Sequence, residues 1–427
     1  MRRSKPEPPA AGGSSARRSA PCTTAPVPAA GGSGCLRVAL VSEYYYPDLG
    51  GMPEHVHHLA RELARRGHAV TVITTAFAAA PEEPAAPPRL AEGDPARGES
   101  AAALPFEVVR LGRASGEIIA NGSVSRAAVG LGLGAAMRRL LRERGFDIIH
   151  VHAPIFPTLA LLAIRCAPPS ARLVGTLHTH FEDSQLLRLL RRPLQRYLDA
   201  LDGVIAVSDT ALSCMRRLGF ACEGEIIPNG VDLAYWQAGR ALPDWRDGAV
   251  HLVAQARLEP RNQIGTIIEA LRLLGERGAA PAPRLRLLVL GDGPQRQALA
   301  AQSAGLPVHF AGAVLAARAD FVATSDVYCF TAAIASHPMA LLEGMAAGRP
   351  VLAHDIAGVR ELVTDGVEGF VLPLGQPRAY AAALGRLAAD PGLRLRLGAA
   401  AQARVAAFGW PRIGARIEAF YRALLRR

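Results

Sequence analysis

One stretch of the chain, residues 325–351, combines residue types that could bind an anion. It begins with the alternating apolar residues of a strand, continues through a short loop into apolar residues at helical spacing, and ends in a second strand. The first N–H groups of a helix have no internal partners, and the helix dipole favours negative charge there. Glu343 lies in the helix body and could reach a ligand in the loop. The alternative is an ordinary βαβ crossover with a solvated Glu343.

A second βαβ pattern, near the start of the chain, has glycines at its first turn. Residues 36–42 form an apolar run of strand length, Gly50 and Gly51 follow, and residues 55–66 place apolar residues at helical spacing. Glycine lets the backbone approach a phosphate or a sugar closely. A Gly-Gly turn by itself is only a weak indication of such a site.

Two further strand patterns carry histidines near their ends. Residues 146–152 end with His150 and His152, and residues 173–181 include His178 and His180. Histidine can form hydrogen bonds and exchange protons near neutral pH. For each of these residues the alternative is a packed or capping side chain.

At 427 residues the chain is too long for one core, so two or more domains are expected. Half of the residues are hydrophobic and a fifth are charged, which is typical of a globular protein. Arg, Gly or Pro interrupts every apolar run before it reaches the roughly 20 residues that a membrane span needs. We therefore expect a multi-domain globular protein.

The formal net charge is +11, and arginine supplies nearly all of the positive charge, since Lys5 is the only lysine. This use of arginine suggests a high-GC genome more than a function. The charge fits a solvated basic surface, or contact with anionic lipid, nucleotide phosphates or nucleic acid. Nucleic acid ranks last, because the chain lacks a module that combines aromatic and basic residues.

The six cysteines have no metal-ligand spacing. Cys166 and Cys329 lie in apolar segments, where they are expected to pack as free thiols. This pattern predicts a reducing, cytoplasmic compartment.

Low-complexity segments interrupt the regular patterns. Residues 1–35 are rich in Ala, Pro, Gly and Ser and predict a disordered basic tail, with a transit-type segment as the alternative. Residues 77–105 predict a mobile surface insertion. Residues 233–248 are the expected linker, after which the α/β rhythm restarts.

The pattern over residues 186–201 is an amphipathic helix. Leu186, Leu190, Leu194 and Leu198 share one face and arginines occupy the other, while Pro193 is expected to kink or restart the helix. The pattern favours a helix whose apolar face packs on the core. The alternative is contact with an anionic membrane surface.

The stretch 325–351 resembles the donor-site motif of the retaining glycosyltransferases of family 4, which have the GT-B fold. The family pattern is Glu, seven residues, a second Glu, and then Ala-Met-Ala-Ala-Gly-x-Pro-Val. Glu343 matches the second Glu, and residues 345–351 match the end of the pattern. The first Glu falls at Ala335, and Pro338 stands where the family usually has Gly.

The resemblance extends to other parts of the donor site. Arg257 matches the family Arg that contacts the donor diphosphate, whereas the family Lys falls at Asn262, so that Arg261 would have to supply its charge. Exposed surface positions are the alternative for both arginines. The donor contacts that the resemblance implies are Gly50, Gly51, Arg257, Arg261, Gly291, Gly293, Met339, Leu341 and Glu343.

In the first half of the chain, His178 matches the family's T-x-H motif and would lie near the reacting sugar. With Glu343 it completes the implied catalytic pair. Residues 119–126 resemble the NGSV-x-R motif of bacterial phosphatidylinositol mannosyltransferases, which places the acceptor near Asn121, Ser123 and Arg126. The alternative is a turn and N-cap before a helix.

The resemblance covers residues 36–427 and implies two Rossmann-like domains that face each other across a cleft. The expected divisions are an N-terminal acceptor domain (36–235), a C-terminal donor domain (249–405) and a helix that crosses back to the first domain (406–427).

The implied reaction moves a hexose of the mannose or glucose type from a GDP- or UDP-linked donor to an acceptor hydroxyl. The candidate acceptors include a phospholipid, which would bring the protein to the inner face of the membrane as a peripheral protein. No metal or other cofactor is expected. The alternative, motivated by Ala335 and Asn262, is a nucleotide-sugar or lipid-binding protein with weakened catalysis.

Overall fold

The structure is a computed structural model that describes residues 34–48, 50–76, 104–115, 118–120, 123–125, 127–156, 158–178, 181, 184–245, 247–276, 284–314 and 317–427. Nearly all of the predicted tail and of the predicted insertion lie outside these residues. The described part forms two parallel sheets with helices packed on them, as the predicted α/β class requires.

The first domain alternates strands and helices along the chain. Its elements are β1 (Arg37–Val41), α1 (Gly51–Arg65), β2 (Ala69–Thr75), β3 (Glu107–Leu111), β4 (Arg113–Ala114), β5 (Ile118–Ala120), β6 (Ser123–Ser125), β7 (Ala128–Val129), α2 (Leu133–Arg144), β8 (Ile148–His152), α3 (Leu159–Cys166), β9 (Arg172–Leu177), α4 (Gln185–Leu189), α5 (Arg191–Asp199), β10 (Gly203–Ala206), α6 (Asp209–Arg217) and β11 (Glu225–Ile226). Seven strands form one sheet in the order β11-β10-β9-β8-β1-β2-β3, and its pairings are all parallel.

Strand β1 shows why this sheet forms. Val38 and Leu40 pack into one apolar cluster, and Ala39 and Val41 pack into another on the opposite face. Each strand residue points to the face opposite its neighbour, so a strand covered on both faces must be apolar throughout. The short strands form two antiparallel pairs, β4 with β7 and β5 with β6.

The second domain repeats the same alternation. Its elements, after the linker helix α7 (Leu233–Gln237), are β12 (Val250–Gln255), α8 (Gly265–Glu276), β13 (Leu285–Leu290), α9 (Arg296–Gln302), β14 (Val308–Gly312), α10 (Arg318–Thr324), β15 (Val327–Phe330), α11 (Met339–Ala346), β16 (Val351–His354), α12 (Ala357–Arg360), β17 (Gly369–Leu372), α13 (Pro377–Ala389) and α14 (Pro391–Val405). The six strands are parallel and lie in the order β14-β13-β12-β15-β16-β17.

The last helix, α15 (Trp410–Leu425), packs on the first domain rather than on the second. Its apolar residues recur every three or four positions, which places them on one helical stripe. The buried residues of this stripe are Trp410, Ile413, Ile417, Tyr421 and Leu424. They join the cluster that contains Val38 of β1 and Leu59 of α1, so the chain end helps to build the first domain's core.

The predicted amphipathic helix is divided into α4 and α5, which meet at Leu190. Pro193 falls in the first turn of α5, where a missing N–H costs no helical hydrogen bond. The expected burial of the apolar face is only partly met, because Leu186 is 64% and Leu190 is 40% exposed. Leu198 is buried in the core, and Leu187 and Leu194 pack against the same cluster while partly buried.

None of the helices within the described ranges combines the length and apolar character that crossing a membrane requires. Cys166 and Cys329 are buried free thiols, as predicted.

Candidate active site

A cavity of about 640 Å³ lies between the two domains. Its walls include residues from the carboxyl ends of β8, β12 and β13. In open parallel sheets this edge is where ligands bind. The cavity brings together Gly50, Gly51, His178, Arg257, Arg261, Gly291, Met339 and Glu343 from the predicted site.

Helix α1 begins at this cavity. Gly50 has a φ of 152°, a value that side chains disfavour, and Gly51 is the first helical residue. The glycine pair predicted as a turn is therefore also the start of a 15-residue helix, whose N-terminal end faces the cavity. This end supplies backbone N–H groups and a favourable dipole for an anion.

Three histidines of the first domain lie together, and two of them, His152 and His178, line the cavity. His152 Nδ1 and His178 Nε2 are 2.9 Å apart, and the ring centroids of His55 and His178 are 4.7 Å apart. Burial holds the pKa of His152 and of His178 well below the usual value, and that of His55 at about 4. The cluster is therefore neutral near pH 7, and its imidazoles can form hydrogen bonds to sugar hydroxyls.

Neutral imidazoles also bind metals, and this cluster has ligand spacing. The nearest ring nitrogens of His55, His152 and His178 all lie within 4.8 Å of one another. His152 Nδ1 and His178 Nε2 already face each other at hydrogen-bonding distance, whereas both ring nitrogens of His55 and Nε2 of His152 are buried without a hydrogen-bond partner among the described residues. The expectation that the site needs no metal stays a prediction.

Two arginines form the cationic part of the opposite wall. Arg257 Nη2 lies 3.1 Å from Glu259 and Arg261 Nε lies 3.2 Å from it, with the Glu259 side chain only 1% exposed. One buried carboxylate thus holds two guanidinium groups side by side, while both remain partly exposed to the cavity. A pair of cations held in this way suits a diphosphate.

The Gly-Asp-Gly turn supports the loop that carries these arginines. A Cβ on Gly291 would lie 1.8 Å from the carbonyl oxygen of Ala256, and a Cβ on Gly293 would lie 2.8 Å from the backbone of Leu258. Both glycines have positive φ, at 140° and 158°. The turn therefore packs against the backbone on either side of Arg257. Its two glycines permit this close approach, which fixes the position of the loop that carries Arg257.

Glu343 is 4% exposed and faces the same cavity from α11. Its Oε2 accepts a hydrogen bond of 2.6 Å from Gln255 Nε2, and its Oε1 lies 3.7 Å from Arg318 Nη1. Burial raises the pKa of Glu343 to about 7, against the opposing effect of Arg318. Glu343 is therefore a buried carboxyl that titrates near neutral pH, and not the solvated side chain of the alternative interpretation.

Residues 49–235 match the family model described as Glycosyltransferase Family 4, and residues 249–390 match the one described as Glycosyl transferases group 1. The phosphatidyl-myo-inositol mannosyltransferase of Mycolicibacterium smegmatis is 32% identical over 392 residues, which cover 90% of this chain and 93% of that protein. The chain belongs to glycosyltransferase family 4. It is a glycosyltransferase, as predicted.

Other similar proteins support this assignment. A protein of the same name from Propionibacterium freudenreichii is 30% identical over 90% of this chain and 94% of its own. The D-inositol 3-phosphate glycosyltransferase of Kribbella flavida is 29% identical over 88% of this chain and 92% of its own.

Among solved structures, Anabaena HepE in complex with UDP-glucose superposes with a TM-score of 0.69 at 18% identity, covering 91% of this chain and all of that one. Sucrose-phosphate synthase from Thermosynechococcus elongatus gives 0.66 at 20%, over 92% and 99%. The predicted GT-B fold is confirmed.

The two departures from the family 4 motif have different structural settings. Asn262 donates a 2.6 Å hydrogen bond from Nδ2 to the carbonyl oxygen of Arg257, so it secures the arginine loop instead of adding a cation. Ala335 lines the cavity, and its carbonyl oxygen packs closely on Gly358. At 335 the family 4 carboxylate is replaced by a methyl group that cannot accept a hydrogen bond.

The residues after Ala335 link the second domain to the first. The Ser336 hydroxyl donates to the carbonyl oxygen of His178, and His337 accepts at its carbonyl oxygen a 2.7 Å hydrogen bond from Asn229 Nδ2. The loop before α11 in the second domain thereby fixes the His178 backbone.

The predicted contacts at the start of α11 are divided. Met339 lines the cavity, whereas Leu341 is completely buried in the core of the second domain. The Leu341 N–H also bonds to the carbonyl oxygen of Pro338. The Leu341 side chain therefore does not line the cavity, and the donor contact predicted at this position stays a prediction.

The predicted acceptor residues Asn121 and Arg126 lie outside the described residues, and only the backbone of Ser123, in β6, is described. The neighbouring segment is held by Glu43. This buried carboxylate accepts from the N–H of Ala128 and, at 2.8 Å, from the N–H of Leu159. Glu43 also lines the cavity, so one carboxylate contacts both the cavity and the segment that follows the predicted acceptor residues.

Several site residues were not predicted from the sequence. Glu54 and His55 lie three and four residues after Gly51, near the start of α1, and this position could have indicated them. Glu259 lies between two predicted arginines, which was a usable signal. Arg318 had no local signal, since only the fold brings it to the cavity.

The raised pKa of Glu343 predicts a pH-dependent stability. Below about pH 4.5 the carboxyl is protonated whether the chain is folded or not, and as the pH rises to about 7 the unfolded chain loses the proton first. The stability that this carboxyl contributes is therefore lost over that interval. Glu343→Gln stays neutral, so its melting temperature relative to wild type should rise from about pH 5 to about pH 8. Parallel melting curves for the two proteins across this range would contradict the assignment.

Proposed function

We propose that this family 4 enzyme transfers a hexose from a nucleotide sugar to a hydroxyl of an inositol-containing phospholipid, with retention of anomeric configuration. The observation that supports it best is the cleft itself, with paired arginines on one wall and neutral histidines on the other. The lipid acceptor is inferred from relatives named phosphatidyl-myo-inositol mannosyltransferase.

The arginine pair would hold the donor diphosphate. Arg257 and Arg261 are positioned by Glu259 before any ligand arrives, so little reorganisation is needed when charge develops on the leaving group. The N-terminal end of α1, at Gly50 and Gly51, would bind the same diphosphate from the other wall.

Glu343 would accept hydrogen bonds from the ribose hydroxyls, and His178 would contact the transferred sugar. A neutral imidazole suits this place, because positive charge develops on the sugar as the glycosidic bond breaks and a protonated His178 would oppose it. The low pKa of His178, caused by burial, keeps the ring neutral.

The proposed donor is a GDP- or UDP-linked sugar. The relatives named mannosyltransferases suggest a mannose-type donor, and the HepE structure contains UDP-glucose. The decisive experiment is a thermal-shift panel of nucleotide sugars, followed by transfer from each hit to phosphatidylinositol in vesicles. Vesicles of phosphatidylcholine alone serve as the control, and the absence of any nucleotide-sugar shift would reject the proposal.

Arg257→Ala should weaken nucleoside diphosphate binding by about 1.5–3 kcal/mol, the range for hydrogen bonds to charged groups. Arg272→Ala is a matched control, because Arg272 lies on α8 and pairs with Glu269, outside the cavity lining. Calorimetry with GDP and UDP measures the effect. Equal affinities for the two variants would remove Arg257 from the donor site.

The surface around α4 would contact the membrane. Leu186 and Leu189 are 64% and 79% exposed, and Arg188 and Arg192 are exposed beside them. Apolar side chains flanked by cations suit the boundary of an anionic bilayer.

Leu186→Ser/Leu189→Ser should reduce co-sedimentation with vesicles that contain phosphatidylinositol, since the insertion of both leucines is lost. Salt should weaken wild-type binding, because screening reduces the arginine contribution. Leu395→Ser, which alters an exposed leucine on α14, is the control. Equal binding of wild type to anionic and neutral vesicles would exclude this surface.

Ala335 implies slow or unusual transfer. Losing one charge-assisted hydrogen bond to the transferred sugar costs roughly 1.5–3 kcal/mol, or about ten- to a hundredfold in rate. Ala335→Glu should therefore accelerate transfer from a common hexose donor, whereas Ala304→Glu, on an exposed loop, should not. No acceleration, with strong wild-type activity on another donor, would show that the site serves a different sugar.

A further inference from the structure

Three buried charged residues connect the two domains across the cavity. Arg318 of α10 places Nη2 2.8 Å from Glu54 Oε1 and Nη1 3.7 Å from Glu343 Oε1. Their side chains are 9%, 6% and 5% exposed, in the order Arg318, Glu54, Glu343. Glu54 belongs to the first domain, whereas the other two belong to the second. The proposed reaction assigns a role to Glu343 alone.

The contacts around this set are unequal. The guanidinium group of Arg318 makes a close ion pair with Glu54 and only a longer contact with Glu343, while it also lies 5.5 Å from the centroid of the Trp236 ring. Glu343 is held instead by Gln255 at 2.6 Å. The other polar groups that face the set are Tyr46, His58, Tyr235 and Tyr328.

We propose that Glu54 and Arg318 are positioning residues for Glu343: Glu54 holds Arg318 away from Glu343 and so keeps that carboxyl available to the ribose hydroxyls of the donor. This inference rests on the proposed ribose role of Glu343.

The physical reason is competition for one cation. A buried guanidinium group must be paired, because an uncompensated charge in a protein interior is very costly. Without the Glu54 charge, a shift of about 1 Å would bring Arg318 into direct contact with Glu343. The Glu343 oxygens would then accept hydrogen bonds from Arg318, and the donor would have to break a buried ion pair to bind.

The position of Glu54 couples this effect to the arrangement of the domains. Arg318 has its preferred partner only while α1 and α10 face each other across the cleft. If the domains moved apart, Glu343 would be the carboxylate left within reach of Arg318. Glu343 is therefore accessible to the donor while α1 and α10 face each other. When the domains move apart, Glu343 pairs with Arg318 instead.

The test compares Glu54→Gln with the double variant Glu54→Gln/Arg318→Gln by calorimetry. The probes are GDP and UDP, which carry ribose, and pyrophosphate, which does not. Glu54→Gln should weaken binding of the preferred nucleotide about tenfold, the loss expected for one charge-assisted hydrogen bond. It should leave pyrophosphate binding unchanged or tighter, because the variant removes one negative charge from the cavity.

The double variant should restore nucleotide affinity to within about threefold of wild type, because the competing cation is gone while the net charge of the site equals that of wild type. A merely structural role of Glu54 predicts the opposite, a double variant at least as weak as the single one. Equal losses for nucleotide and pyrophosphate, or no restoration, would overturn the inference. If Glu54→Gln does not fold, Glu54→Asp should give a smaller loss of nucleotide affinity in the same direction.

Glu343→Ala separates this inference from the function on which it rests. If Glu343→Ala leaves nucleotide affinity unchanged, the ribose role fails, whatever Glu54 does. If Glu343→Ala weakens nucleotide binding and Glu54→Gln does not, only the positioning role fails.

Discussion

The packing of α15 on the first domain is the interaction on which the cleft depends. The chain leaves the first domain near residue 232, builds the second, and returns at Gly409, where Val231 and Gly409 form a β-bridge. Trp410 then packs so closely on Gly230 that a Cβ there would lie 2.5 Å from the indole ring. Two chain crossings at one point join the domains, and the cavity opens beside this junction.

The last helix also contacts the histidines of the first domain. The Tyr421 hydroxyl and His150 Nδ1 are 2.6 Å apart, and His150 stacks on His152, which faces His178. A hydrogen bond from the last helix thus begins a chain of imidazoles that ends at the proposed sugar site. Because each ring in this chain is buried and neutral, the geometry is set by hydrogen bonds and stacking rather than by ion pairs.

The fold was predictable because its signals are local. Apolar strand runs such as 38–41, followed by helical periodicity, identify parallel α/β domains one element at a time. The arginine loop and Glu343 were found through motif spacing. The pairing of Glu54 with Arg318 could not be found in that way, because Arg318 has no distinguishing neighbourhood in sequence and only the meeting of two domains brings the two residues together. The burial of the Leu341 side chain and the exposure of Leu186 on α4 were not predictable for a related reason, since helical spacing defines a face but not what lies opposite it.

The return of α15 to the first domain has a consequence for the exchange of parts between related enzymes. The boundary in three dimensions differs from the boundary in sequence, because residues 410–425 complete the core of the N-terminal half. A chimera that replaces everything after the linker would exchange this helix as well, and would leave Leu59 and Val38 facing a foreign surface. A graft that changes only the second domain has to take an internal segment of about 249–405 and retain the native chain end. In evolutionary terms, the second domain behaves as an insertion within the first, and its recombination requires two breakpoints.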